Sequence, residues 1–215
     1  MTGKFISCEG GEGSGKSTQL ALLAKAFAKA GLPYVQTREP GGSVGAEQIR
    51  SLLVNGKTDA WDPVAETLLF YAARLDHVNK LIKPAMMKGK TVLCDRFADS
   101  TRVYQGIGKG LTQHYIDELH HLTLGNFMPD LTLILDIDPV IGLKRAAARH
   151  GHETRFESMD IDFHHAVRAG FLTIAQCEPE RCVVVDAGRS QADVHAHMIE
   201  AMNRHLGLAL KPCHD

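Results

Sequence analysis

The stretch Gly10-Gly11-Glu12-Gly13-Ser14-Gly15-Lys16-Ser17 limits this chain more than any other. It has the spacing G-x-x-x-x-G-K-[ST] of a phosphate-binding loop. Phe5-Ile6-Ser7-Cys8 before it is a short apolar run suited to a buried strand. From Lys16 to Ala30 the chain reads as a helix, with Leu20, Leu23, Ala24 and Phe27 on one face. Strand, glycine loop and helix is the context the motif requires. Glycines let the backbone wrap closely around a phosphate, with successive N–H groups pointing inward. The helix N-terminus adds partial positive charge. Lys16 is placed to reach the outer phosphates, and the Ser17 hydroxyl to bind Mg²⁺. The chain is therefore expected to bind a nucleoside triphosphate.

Five short apolar or β-branched runs recur: Phe5–Cys8, Tyr34–Thr37, Thr91–Cys94, Leu131–Leu135 and Cys182–Val185. Most are apolar throughout, which predicts strands covered on both faces. Helical patterns lie between them, so the expected class is α/β with a parallel sheet. The 215 residues suit a single domain spanning 1–215. A net charge of −1 offers no broad basic field for nucleic acid. No apolar run approaches the ~18 to 20 residues of a membrane span. The cysteines are five, and Cys8 and Cys94 sit inside strand-like runs, which suits buried thiols in a reduced, cytoplasmic setting. The adjacent pairs His120-His121 and His164-His165 read as surface residues, as do most of the twelve histidines.

Several polar residues stand at the carboxyl ends of these runs, where open α/β sheets bind ligands. Pro40-Gly41-Gly42 is a turn that leaves Arg38 at such an end, either as a ligand contact or as an exposed salt-bridge partner. Asp95-Arg96-Phe97 ends the third run, beside the expected phosphate loop. Asp62-Pro63 reads as a cap followed by proline at the first position of a long helix. Phe70 and Arg74 share a face of that helix, as a surface staple or a ligand clamp. Pro84 is expected to bend or end it. Ser100 and Tyr104 are one helical turn apart and can face one ligand together, before glycines at 106, 108 and 110 break the helix. Residues 150–157 are charged, and suit a solvated loop or a mobile lid carrying Arg149 and Arg155. The tail Lys211–Asp215 reads as frayed.

These strings in this order resemble bacterial thymidylate kinases. The phosphate loop with an acidic third residue is followed by Thr37-Arg38-Glu39-Pro40-Gly41-Gly42 and Tyr71-Ala72-Ala73-Arg74. Asp95-Arg96-Phe97, Tyr104-Gln105-Gly106 and an arginine-bearing lid at about 149–158 complete the series. The resemblance runs from about Phe5 to Leu206. It implies a P-loop kinase fold with five parallel strands in the order 2-3-1-4-5, flanked by helices, in a homodimer. It also implies transfer of a phosphoryl group from ATP to dTMP with Mg²⁺. By the same resemblance, Gly10 to Ser17, with Thr18, hold the ATP phosphates, and Lys16, Asp95, Arg149 and Arg155 are the catalytic candidates. Glu12 is expected at the deoxyribose 3′-hydroxyl, and Arg38 and Arg96 at the acceptor phosphate. Phe70 is expected to stack on thymine and Arg74 to reach a ring carbonyl. Ser100, Tyr104 and Gln105 line the base and sugar pocket, and Ser17 and Asp95 hold Mg²⁺ or its waters. Gly13 stands where some members carry a catalytic arginine, which leaves Arg149 and Arg155 as the lid candidates. The alternatives are a kinase for UMP, CMP or GMP, and a P-loop ATPase.

Overall fold

The computed structural model describes residues 3–55, 57, 59–148 and 155–213. Its centre is a parallel five-stranded sheet in the order β2-β3-β1-β4-β5. The strands are β1 (Phe5–Glu9), β2 (Tyr34–Arg38), β3 (Thr91–Asp95), β4 (Leu131–Asp136) and β5 (Cys182–Asp186). Each run read from the sequence forms a strand, and each strand continues one residue further, through an ionisable side chain. Those five residues, Glu9, Arg38, Asp95, Asp136 and Asp186, line the carboxyl edge. In β1, β3 and β4 the apolar runs are buried on both faces. The edge strands β2 and β5 differ, because only one of their faces is well covered.

The helices, in chain order, are α1 (Lys16–Lys29), α2 (Val44–Val54), α3 (Pro63–His77), α4 (Lys83–Met87), α5 (Ala98–Thr101), α6 (Gln113–Leu124), α7 (Pro139–Ala147), α8 (Ile161–Cys177) and α9 (Gln191–Leu206). Their starts follow from local chemistry. Asp62 and Asp138 accept hydrogen bonds from Val64 N and Val140 N, both at 2.9 Å, and each precedes a proline at the first helical position. Pro84 does not end its helix. Between α3 and α4 the chain widens into a π turn over Val78–Ile82, which accommodates the missing N–H and carries the helix on to Met87. A second π turn, Arg102–Ile107, follows α5.

One face of the sheet packs on α1 and α9 through Leu20, Leu23, Phe27, Met198 and Met202. Leu210 and Cys213 join that core, so the tail through Cys213 is packed rather than frayed. Asn203 ties it down, exchanging side-chain hydrogen bonds with the backbone of Leu210 at 2.9 Å. The other face is covered by α3, α4 and α6, where Phe5 meets the edge of Phe97 at 4.8 Å. A third cluster seats α8 against Ile134 and Tyr104. The surface reading of the histidines fails at His77, His164 and His195, all buried. His77 is held there by Glu39 and Thr37.

Candidate active site

The glycine loop joins β1 to α1 at the centre of the carboxyl edge. Gly10, Gly13 and Gly15 have φ of 133°, 66° and 93°, in the left-handed region that favours glycine. Gly13 has a second constraint, since a Cβ there would stand 1.8 Å from the Gly142 carbonyl oxygen. An arginine at this position would need the loop and α7 to separate. Gly15 caps α1 without a side-chain acceptor, so the first N–H groups of the helix remain for an anion. Lys16 folds back over the loop and donates to the Gly10 and Gly11 carbonyls at 3.1 and 2.9 Å. Burial and the nearby Arg96 lower its pKa. The Ser17 hydroxyl donates to Asp95 Oδ2 at 3.1 Å. A cavity of about 210 Å³ lies outside the loop, against Gly15, Thr18, Arg145 and Arg189.

Beside the loop, under α3 and the segment after β3, lies a second cavity of about 120 Å³. Glu12, Phe70, Arg74, Arg96, Ser100, Tyr104 and Gln105 all line it. Three separate stretches of sequence thus meet around one space. Arg96 is the hinge between the two halves. Its φ is 69°, a strained value for a residue with a Cβ. Its guanidinium donates to Gly10 O and Ser100 Oγ, each at 3.1 Å, to Glu12 Oε1 at 2.8 Å and to Tyr104 Oη at 3.1 Å. The Tyr104 hydroxyl in turn donates to Glu12 at 2.9 Å. Burial works to raise the Glu12 carboxyl, but Arg96 and Lys16 outweigh it and hold the group below its ordinary value. Burial drives the Tyr104 phenol upward, so it remains a donor.

Arg74 is 2% exposed and almost wholly committed. Nε donates to Glu39 at 2.7 Å, and Nη2 to the Phe97 carbonyl at 3.2 Å and Thr101 Oγ1 at 3.0 Å. The guanidinium lies over the rings of Tyr71 and Phe97. Only Nη1 has no hydrogen-bond partner among the described residues. A buried donor without an acceptor costs about 1–3 kcal/mol, so an acceptor on a ligand would be strongly favoured there.

Arg38 and Asp95 stand outside this cavity. Arg38 projects from the end of β2, is exposed, and pairs with Glu47 at 3.2 Å. Arg155 does line the cavity, but it is turned away from the phosphate loop. It is buried, ion-paired with Glu66, and donates to the carbonyls of Leu53 at 2.8 Å and Lys57 at 2.9 Å. Arg149, with the rest of 149–154, lies outside the described residues.

Glu39, Thr101 and Phe156 also line the cavity, and Glu66 stands behind Gln105. Glu39 belongs to the string Thr37 to Gly42, where nothing sets it apart. Glu66, Thr101 and Phe156 carry no spacing signal, and only the fold brings them to this region.

Comparison with known proteins follows the same outline. Residues 8–198 match the family model described as thymidylate kinase. The chain belongs to the thymidylate kinase family. It is 53% identical over 206 residues to the thymidylate kinase of Caulobacter vibrioides, covering 96% of this chain and 99% of that one. It is 51% identical over 197 residues to that of Dinoroseobacter shibae, covering 92% and 95%. The crystal structure of thymidylate kinase from Ehrlichia chaffeensis superposes with a TM-score of 0.77 at 36% identity, over 94% of this chain and all of that one.

Proposed function

We propose that this chain transfers the terminal phosphoryl group of ATP to dTMP, giving dTDP and ADP. The observation that carries this reading is the second cavity that shares Glu12 and Arg96 with the phosphate loop. That sharing supports an acceptor phosphate set end-on to the ATP phosphates. In this reading Gly10 to Ser17 and Thr18 hold the ATP phosphates, and the cavity near Arg145 and Arg189 receives the rest of ATP. Arg96, with Arg38 swinging from Glu47, holds the acceptor phosphate. Phe70 covers one face of the base, Arg74 Nη1 meets a ring carbonyl, and Ser100 and Tyr104 support the sugar side. Glu12 accepts from the 3′-hydroxyl.

The chemistry demands alignment more than proton removal. A phosphate monoester is largely doubly ionised near neutral pH, with a second pKa of about 6. Its oxygen can attack without a general base. What the site must supply is in-line placement of two polyanions and cancellation of their repulsion. Lys16 and the helix N-terminus act on the donor, and arginines with planar, forked guanidinium groups act on the acceptor. Arg149 is proposed to reach the transferred group from the lid. Arg155 would do so only after leaving Glu66, so its first role is to anchor the end of the lid on α3.

Ser17 and Asp95 fit a divalent cation, since both offer oxygen ligands and lie 3.1 Å apart next to the loop. Mg²⁺ usually takes one or two protein oxygens together with phosphates and water, and bound there it would neutralise phosphate charge. The chain is proposed to work in the cytoplasm, consistent with five free cysteines. No helix among the described residues is long and apolar enough to cross a membrane. We further propose a homodimer formed through α2 and α3, where Val44, Leu52, Val64 and Leu68 are exposed; light scattering checks it.

The deciding experiment is ADP release from Mg-ATP with no acceptor and with dTMP, dUMP, UMP, CMP, GMP or AMP. Turnover with dTMP, and weakly with dUMP, supports the reading. Strong turnover with another acceptor would reassign the pocket, and equal turnover with none would indicate an ATPase.

A further inference from the structure

A carboxylate outside every recognised motif stands behind the wall of the acceptor cavity, in contact with the lining residues Gln105 and Arg155. Glu66 lies in the first turn of α3 and is fully buried. It accepts from Gln105 Nε2 at 2.8 Å and from Lys109 Nζ at 2.9 Å, and it pairs with Arg155 Nη2. Two cations thus balance its charge. An ionised carboxylate accepts hydrogen bonds and donates none. It therefore settles a choice that an amide otherwise leaves open. Gln105 must turn its NH₂ toward Glu66, which leaves the carbonyl Oε1 as the atom free to face the cavity that Gln105 lines. On the same cavity, Arg74 Nη1 is a buried donor without a partner among the described residues.

We propose that Glu66 is a specificity-determining positioning residue. It holds Gln105 as an acceptor beside the Arg74 donor, so that the cavity selects a pyrimidine with a carbonyl at C4 and an N–H at N3. This rests on the function proposed above and adds the source of its base polarity. Cytosine presents the reverse pattern, an amino group at C4 and a bare nitrogen at N3. Donor would then face donor and acceptor face acceptor, in a buried site where unpaired polar groups are costly. Guanine repeats the carbonyl and N–H pattern, so the size of the cavity, not its polarity, must exclude it. Lys109 and Arg155 serve this role by keeping the carboxylate compensated. They make no direct contribution to base reading.

The test is kcat/KM for dTMP and for dCMP in the wild type, Glu66→Gln, Gln105→Met and the swap Glu66→Gln/Gln105→Glu. In Glu66→Gln, the new amide at position 66 can donate or accept, and Gln105 is released to turn either way. The dTMP/dCMP ratio is expected to fall about 10- to 100-fold. The swap places an acceptor-only carboxylate at position 105, against an amide donor at 66, and is expected to bring the ratio back to within about threefold of the wild type. A Glu66→Gln protein that loses activity on both substrates equally would show a structural role only and overturn the proposal. Glu66→Gln leaves two cations short of a partner and can fail to fold. In that event the other two variants decide. Gln105→Met must lose the discrimination and the swap must keep it, and either failing overturns the proposal. A wild type without preference for dTMP over dCMP would instead overturn the function itself. A selective wild type with an equally selective Glu66→Gln would overturn only the role of Glu66.

Discussion

The phosphate loop and the acceptor cavity touch at Arg96, yet they are built on opposite plans. The loop takes its ligand-binding groups from eight consecutive residues and relies on backbone N–H groups, glycine conformations and one lysine. The cavity takes its groups from side chains spread between Glu12 and Phe156, and among them Arg74, Arg96 and Arg155 are tied to Glu39, Glu12 and Glu66. A loop of backbone donors needs only the right dihedral angles. A wall of buried charges needs every charge compensated, because an isolated buried ion is prohibitively costly. The difference predicts that removing a buried charge from the cavity wall damages the fold as well as the function, while removing the loop's lysine damages function alone.

Arg74→Met puts that contrast under the greatest strain. Glu39 would lose its shortest partner, the 2.7 Å contact, and keep only His77 at 3.0 Å. Removing one member of a buried pair costs about 3–5 kcal/mol. Urea unfolding of the variant should show a loss of that size, together with loss of dTMP binding. A loss under about 1 kcal/mol would mean that the cavity wall tolerates an uncompensated Glu39, and the contrast would fail.

Lys16→Met is the matching change in the loop. Lys16 contacts two carbonyls and a hydroxyl but, among the described residues, no carboxylate within salt-bridge distance, so its removal strands no buried anion there. By analogy with losing one preorganised donor, kcat should fall about 10²- to 10³-fold. The unfolding midpoint and dTMP affinity by calorimetry should stay close to wild type. A large drop in stability would erase the distinction between the two regions.

Tyr104→Phe probes the cavity more gently. It deletes the hydroxyl that donates to Glu12 and accepts from Arg96, while the ion pair between those two remains. One hydrogen bond is worth about 0.5–1.5 kcal/mol net. The expected result is a KM for dTMP raised by up to about tenfold with kcat little changed. A fall in kcat with unchanged KM would move Tyr104 from binding to the transition state.

The two plans also explain what could be read from the chain. The loop was legible because its chemistry is contiguous. Gly10 through Ser17 define it, and the flanking strand and helix follow from periodicity. The five strands were legible because β1, β3 and β4 are buried on both faces and read as unbroken apolar runs. Phe70, Arg74 and Arg96 could be singled out as polar or aromatic interruptions at strand ends and on helix faces. Glu66 could not, since its partners Lys109 and Arg155 lie 43 and 89 residues away. Nor could the buried state of His77, whose carboxylate partner Glu39 is 38 residues distant. Pro84 misled because a π turn absorbs its missing donor, and that depends on packing of the whole helix.

Glu9 belongs to both regions, and its effect is read only through its pH dependence. It ends β1, immediately before the loop, and its carboxylate accepts from Phe97 N at 2.7 Å and Ser100 Oγ at 2.6 Å in the cavity wall. Burial, with Asp99 adding to it, pushes its pKa from an ordinary 4.5 up to about 7. Between those two values the unfolded chain has lost the proton while the folded chain keeps it. Stability from this group is therefore greatest at acid pH and declines as pH rises across the window, levelling off above about 7. Glu9→Gln cannot titrate, and its amide oxygen can still accept from Phe97 N. Urea midpoints of both proteins at about pH 5 and about pH 8 should show the wild type losing ground to the variant as pH rises. Parallel changes would mean that Glu9 ionises as freely as an exposed carboxylate. The junction of loop and cavity would then follow the cavity's plan, with the buried charge fully compensated.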